Sequence, residues 1–299
     1  MKMKWLGCDH LSKNLWLDTI SGLKFPDELY RNETSLHSFS AKPENYLKSE
    51  FGLNYLKRIR ENVSFLNNIP FGASNEFIIQ DYHKNFDKYK EKSIFILGGG
   101  PSINEIDLDK VKTDVVWASN NFFKNSNFKN IQIDGLALTP YIDVKKGSEL
   151  RNYADNNSQI KIFFETERGD HDEDWQSMYD FISNHRENFF LYNTRYRSKL
   201  GITPRQICLA IFLGFKDIYI AGFDGLSKAQ NYHGFEGTKN NAHWYDKWGG
   251  ERIEIVQFVQ FWNYIYRLKK SYNFNIINLS ENSKYNISSE ITKWLKLHN

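Results

Sequence analysis

From about residue 90 onward the chain is predicted to form an α/β domain, a mostly parallel sheet flanked by helices on both faces. Three observations predict it. Short apolar runs recur along this stretch, each bounded by charges, glycines or asparagines. Helix-like segments alternate with them, and alternation of that kind builds parallel sheets covered on both sides. The first run also ends in three consecutive glycines, Gly98, Gly99 and Gly100, as the first strand of such a sheet often does.

The elements follow in order. Ser93–Leu97 reads as a buried strand. Residues 114–118, 132–138, 159–164 and 188–192 continue the strand series. Residues 203–213 read as a helix that Gly214 ends, and Asp217–Ala221 follows as a strand. A long amphipathic helix is expected over 252–270, with a last strand at 274–279. This is a Rossmann-like series. Residues 1–90 show no such alternation; 45–52 and 56–62 look helical, so a smaller, mostly helical N-terminal region is expected before a domain at 91–299. No internal repeat or low-complexity tract interrupts the chain.

Composition narrows the class. Aromatic residues make up 16% of the 299, far too much apolar surface for a disordered chain. Net charge is only +3, so charge alone does not imply a nucleic-acid partner. Cys8 and Cys208 are the two cysteines, which excludes a disulfide framework and a cysteine zinc site. No apolar run approaches the roughly 20 residues of a membrane span, and the N-terminus lacks the apolar core of a signal peptide. A cytosolic protein is expected, touching the inner face of a membrane at most.

The strongest motif is the stretch 96–103, Ile-Leu-Gly-Gly-Gly-Pro-Ser-Ile. Glycines permit positive φ and let another group approach the backbone closely. Pro101 presets φ, and Ser102 suits the cap of a following helix. Amides exposed at such a helix start would suit a phosphate, and the ligand crevice of an open α/β sheet lies at the carboxyl ends of its strands. The plain alternative is a tight strand-to-helix turn with no ligand. A dinucleotide fingerprint is disfavoured, because Ile103 stands where its third glycine would be; no Gly-Lys-Ser/Thr of a P-loop follows either.

Gly-x-Gly-Pro-Ser followed by Ile-Asn-Glu-Ile-Asp resembles the opening of the bacterial sialyltransferases of glycosyltransferase family 42, and equally the domain-of-unknown-function 115 proteins related to them. Further blocks match in order: 118–123, Ala-Ser-Asn-Asn-Phe-Phe, and the run from Ile202-Thr203 through Leu213-Gly214-Phe215-Lys216 to Gly222-Phe223-Asp224. The resemblance covers roughly residues 95–280 and does not choose a substrate. It implies a GT-A-like single nucleotide-binding domain and a metal-independent, inverting transfer from a CMP-activated acidic sugar to a glycan or protein acceptor, with no cofactor besides the donor. Gly98, Gly99, Gly100, Pro101 and Ser102 would hold the phosphate side, Asn120 the base, ribose or sugar, and Asp224 the ribose hydroxyls. Thr139 and Thr203 would also touch the donor.

For the chemistry, the departing phosphate needs stabilisation and the acceptor hydroxyl needs a base. Tyr232 matches one family tyrosine in its spacing from Asp224, whereas Leu226 occupies the position of the other. Lys199 and Arg197 would supply positive charge. His243 is the expected base, since an imidazole titrates near pH ~6.5, and His233 is its rival. The acidic run 170–174 reads as a solvated helix start rather than a metal site, because consecutive residues cannot all face one ion. Aromatic spacing over 258–266 suits a buried helix face, with a homo-oligomer through its exposed rings as a further expectation. Two other functions fit the resemblance: a pterin-type pyrophosphokinase using ATP and Mg²⁺, and a non-catalytic binding or scaffold protein.

Overall fold

The computed structural model describes the backbone of residues 3–8, 14–18 and 24–26. From 86 to 280 it describes all but 108–110, 140–141, 166–174, 186, 193–200, 226–257 and single or paired positions between 259 and 271. Two compact units divide the chain, one comprising Met1–Lys88 and Gly135–Arg195, the other Tyr89–Asp134 and Tyr196–Asn299.

The described N-terminal residues are strands rather than helix, while most of the region expected to be helical lies outside the described residues. Strands β1 (Met3–Cys8), β2 (Asn14–Asp18) and β3 (Lys24–Pro26) form an antiparallel sheet in that order, with Trp5 opposite Trp16 and Trp16 opposite Phe25. Each of β1 and β2 carries only one residue of high strand preference, Trp5 and Trp16, so composition does little to mark them as strands. The two segments expected to be helical, 45–52 and 56–62, lie outside the described residues.

The remaining strands are β4 (Ser93–Leu97), β5 (Val115–Ser119), β6 (Gly135–Leu138), β7 (Lys161–Glu165), β8 (Phe189–Tyr192), β9 (Asp217–Ala221) and β10 (Asn275–Asn278). They form a seven-stranded sheet in the order β10-β9-β4-β5-β6-β7-β8. Its registered pairs are parallel. Helices α1 (Glu149–Asn156), α2 (Trp175–Asn184) and α3 (Thr203–Phe212) lie between strands in the chain. The α/β architecture with a mostly parallel sheet is therefore as expected.

In the second unit the strands are β10-β9-β4-β5, and the chain reverses its direction of travel across the sheet between β4 and β9. Ile94, Ile96 and Leu97 are fully buried, as a strand covered on both faces requires. Tyr89 stacks on Phe215 at 5.0 Å and Trp117 meets Phe215 edge-on at 5.5 Å. Burial pushes the Tyr89 hydroxyl's pKa above its ordinary range, with the Asp134 carboxylate adding to the effect. Every residue of α3 but Arg205 is buried, and Pro204 presets its first turn. Gly214, at φ +86°, ends it by a left-handed cap in which Phe215 N–H reaches back to the Ala210 carbonyl.

Strand β5 begins one residue later than expected because Asp114 serves another end: its carboxylate accepts from the Ser93 N–H at 2.9 Å and the Ser93 hydroxyl at 2.7 Å. Those bonds hold its pKa below the usual carboxylate range. Within 258–268 the described apolar residues face inward: Phe258, Phe261, Trp262, Ile265 and Leu268 are buried, with Phe223 at 5.0 Å from Phe258, while Tyr266 is exposed.

The first unit carries β6-β7-β8. Phe86 packs edge-on against Phe190 at 4.9 Å. Ser148 caps α1 by accepting the Arg151 N–H at 3.2 Å. Ser148→Ala is expected to cost about 1 kcal/mol of unfolding free energy, the usual value of an N-cap hydroxyl, and urea titration of the two proteins would read it. Among the described residues, no helix is long and apolar enough to cross a membrane.

Candidate functional site

The glycine run leaves β4 at its carboxyl end, beside the loop leaving β9. The Gly98, Gly100 and Ser102 N–H groups, expected at a phosphate, are bonded within the protein. Gly98 N–H donates to the Ala221 carbonyl at 2.8 Å and Gly100 N–H to the Gly222 carbonyl at 2.8 Å, continuing the β4–β9 ladder past both strand ends. Ser102 N–H donates to an Asp224 carboxylate oxygen at 2.8 Å. A donor already bonded inside the fold is not available to a phosphate. The glycines are there because the two loops touch. A Cβ on Gly98 would collide with the Gly222 carbonyl, one on Gly222 with the Gly98 carbonyl, and one on Gly100 with the Asp224 carboxylate. Gly222 also sits at φ +68°, where an L side chain is strained.

Pro101–Glu105 is a five-residue 3-10 segment, not the start of a longer helix, and Ser102 does not cap it. The Ser102 hydroxyl instead meets the Asp224 carboxylate and lies 2.8 Å from the Ser280 hydroxyl. A hydroxyl has one proton to give. With that proton on Asp224, Ser280 donates to Ser102, and the Ser280 oxygen accepts the Gly222 N–H at 3.2 Å. A single directed chain, Gly222 to Ser280 to Ser102 to Asp224, thus ties together the loops after β4, β9 and β10. Ser280 N–H is itself held by the Asn278 side chain at 3.0 Å. Asp224 is 4% exposed, so it acts as the acceptor that closes this chain, and its carboxylate is committed to Ser102 on both oxygens. Burial pushes its pKa up; the two Ser102 hydrogen bonds pull against that and Glu105 adds to it.

A second buried network lies where β5 ends and α3 begins. Gln206 is fully buried. Its Nε2 donates to the Ala118 carbonyl at 2.8 Å, and its Oε1 accepts from the Ser119 hydroxyl at 2.5 Å. Thr203, whose hydroxyl is 3.2 Å from that of Ser119, completes the group. The next residue, Asn120, adopts φ +47° and turns the chain into the 3-10 segment Asn120–Lys124. Beyond it Asn125 and Asn127 donate to the Asn104 side-chain oxygen at 3.4 and 3.3 Å, linking the loops after β4 and β5.

The second unit thus assembles, at the carboxyl ends of β4, β5 and β9, the expected residues Gly98, Gly99, Gly100, Pro101, Ser102, Asn120 and Asp224, with Thr203 at the start of α3. Thr139 follows β6 in the other unit. The residues expected to do the chemistry, Lys199, Tyr232 and His243, lie outside the described residues, as do Arg197, Leu226, His233 and the acidic run 170–174. Among the described residues no group of His, Cys, Asp or Glu is arranged to hold a metal ion. Sequence reasoning missed Ser119, Gln206 and Ser280. Ser119 stood next to a chosen residue, but nothing in the sequence marks a serine after the last strand or a glutamine inside an apolar helix as partners of these loops.

No protein-family model matches the chain, and no curated protein does. Similar solved structures are sialyltransferases. One is CstII from Campylobacter jejuni in complex with the substrate analogue CMP-3FNeuAc, 15% identical, covering 64% of this chain and 83% of its own, with a TM-score of 0.44. Another is CstII with a trisaccharide acceptor and CMP, 19% identical over the same shares, with a TM-score of 0.42. A third is the monofunctional alpha-2,3-sialyltransferase Cst-I from Campylobacter jejuni, 18% identical, covering 64% of this chain and 77% of its own, at 0.44.

Proposed function

We propose that this chain is a bacterial, cytosolic glycosyltransferase of glycan biosynthesis. It transfers an acidic sugar, sialic acid or a related nonulosonate, from its CMP-activated form to a glycan or protein acceptor, with inversion and without a metal. The observation that carries this reading is positional. Three motif blocks far apart in the sequence, at 98–102, 118–123 and 202–224, meet at the carboxyl ends of the strands in the second unit, where open α/β folds bind ligands.

The hydrogen bonds support a different division of labour among the site residues. Gly98, Gly100 and Ser102 shape the crevice instead of gripping the phosphate by these amides. Contact with the nucleotide falls to Asn120, whose backbone departs from the strand at the crevice, and to the α3 start at Thr203. In the reaction the acceptor oxygen forms a bond to the anomeric carbon as the bond from that carbon to the CMP phosphate oxygen breaks. The bonding pair leaves on the phosphate, whose charge Tyr232 and Lys199 meet, and His243 takes the acceptor proton.

Calorimetric titration of the full chain with CMP tests the reading. Binding is expected, and Asn120→Ala is expected to weaken it about tenfold, the worth of one or two hydrogen bonds. Failure to bind CMP, CDP or CTP would overturn the assignment. Transfer that EDTA abolishes would overturn its metal independence.

A further inference from the structure

Asn120 holds a backbone conformation that an L residue reaches only at a cost, smallest for asparagine and glycine. Such conformations persist where the surroundings over-determine them. Ser119, the N-cap residue of the 3-10 segment, makes no side-chain cap bond to its own turn, although serine in that position ordinarily does. Its hydroxyl is drawn away to Gln206, which also takes the carbonyl just before Ser119.

The polarity of this contact is unambiguous. Only Nε2 can donate to the Ala118 carbonyl, so Oε1 faces Ser119 and must accept. The proton of Ser119 is then spent, and Thr203 donates to Ser119. Every group in the chain has one role, and a fully satisfied buried network of that kind is stiff.

We propose that Gln206, acting through Ser119, is a positioning residue that holds Asn120 in its left-handed conformation and so presents it to the nucleotide; this second half rests on the CMP reading above. Gln206 lies in the first turns of α3 and Ser119 at the end of β5, so the network also ties the two elements that flank the crevice.

The test compares Gln206→Met, Ser119→Ala and Ser119→Thr with Leu213→Ala, a buried change beyond the far end of α3 that lowers stability without touching the network. Backbone carbon chemical shifts of Asn120 report its φ and ψ, and calorimetry under conditions where each protein is folded gives the CMP dissociation constant. Gln206→Met and Ser119→Ala are expected to move the Asn120 shifts out of the left-handed range and to weaken CMP binding about five- to tenfold. Ser119→Thr, which keeps the hydroxyl, and Leu213→Ala are expected to do neither. Unchanged Asn120 shifts in Gln206→Met overturn the positioning role whether or not CMP binds. Shifts that move while the dissociation constant stays within twofold of wild type overturn the link to the nucleotide. A wild-type chain that binds no CMP overturns the donor reading instead, and the shifts still decide the network.

Discussion

Gly222→Ala is expected to cost about 2–5 kcal/mol of unfolding free energy, roughly 1–2 from a side chain at positive φ and 1–3 from a Cβ forced against a backbone carbonyl. The neighbour is the Gly98 carbonyl, a backbone group of a residue anchored by its own N–H bond to Ala221, so it cannot swing aside as a side chain would. Gly147 provides the comparison. It sits at φ +87° but a Cβ there meets nothing within 4 Å, so Gly147→Ala should show only the backbone part, about 1–2 kcal/mol. Gly98→Ala, with no positive φ but the same collision, should fall between them. Urea unfolding of the three variants measures the order. If Gly222→Ala and Gly147→Ala differ by less than the error of the titrations, the two loops do not interlock as described.

Asp224→Ala carries the next largest effect. It strands the buried Ser102 N–H and breaks the hydroxyl chain at its acceptor end, and an unsatisfied buried donor costs about 1–3 kcal/mol, more when the lost partner is charged. Asp224→Asn keeps one acceptor for Ser102 N–H and removes a buried charge, so it should be milder. The two also differ in pH dependence. Burial raises the Asp224 pKa in the folded protein, so the folded state holds that proton where the unfolded state has released it. The corresponding stabilisation is complete below the unfolded value, near pH ~4. It is lost as pH rises through the folded value. Asparagine has no proton to lose there. Measured against wild type, Asp224→Asn should therefore become relatively more stable between about pH 4 and pH 7. A relative stability that is flat or falls with pH over that interval would mean that Asp224 is not desolvated in the fold.

Of the residues in these two comparisons, Gly98 and Asp224 stand out in the sequence as ligand-binding candidates, whereas Gly222 stands there only within the Gly-Phe-Asp block. The glycine run and Asp224 were visible as unusual, and their location at strand ends followed from the apolar runs before them. Strands β4 and β9 occupy the residues their composition implied, Ser93–Leu97 and Asp217–Ala221. A five-residue apolar run between charged or glycine neighbours leaves little choice of conformation. Helix α3 was equally legible, with Pro204 in its first turn and Gly214 just past its end. The antiparallel strands at 3–26 were harder to see, because short strands depend more on their partners than on intrinsic preference.

Local chain chemistry was thus enough to set where strands and helices lie and which loops carry chemically distinctive residues, since apolar spacing and turn-forming side chains act over a few neighbours. Whether a glycine amide is open to a ligand is a different kind of question. It depends on which loop stands opposite, and that follows from β9 pairing beside β4 and β10 beside β9. Hydrogen bonds are pairwise and saturable, so the arrival of Ala221, Gly222 and Asp224 at that corner consumed the donors that the isolated motif left free. The same packing brought Gln206 to Ser119 and Ser280 to Ser102, pairings that exist only once strand order has been decided.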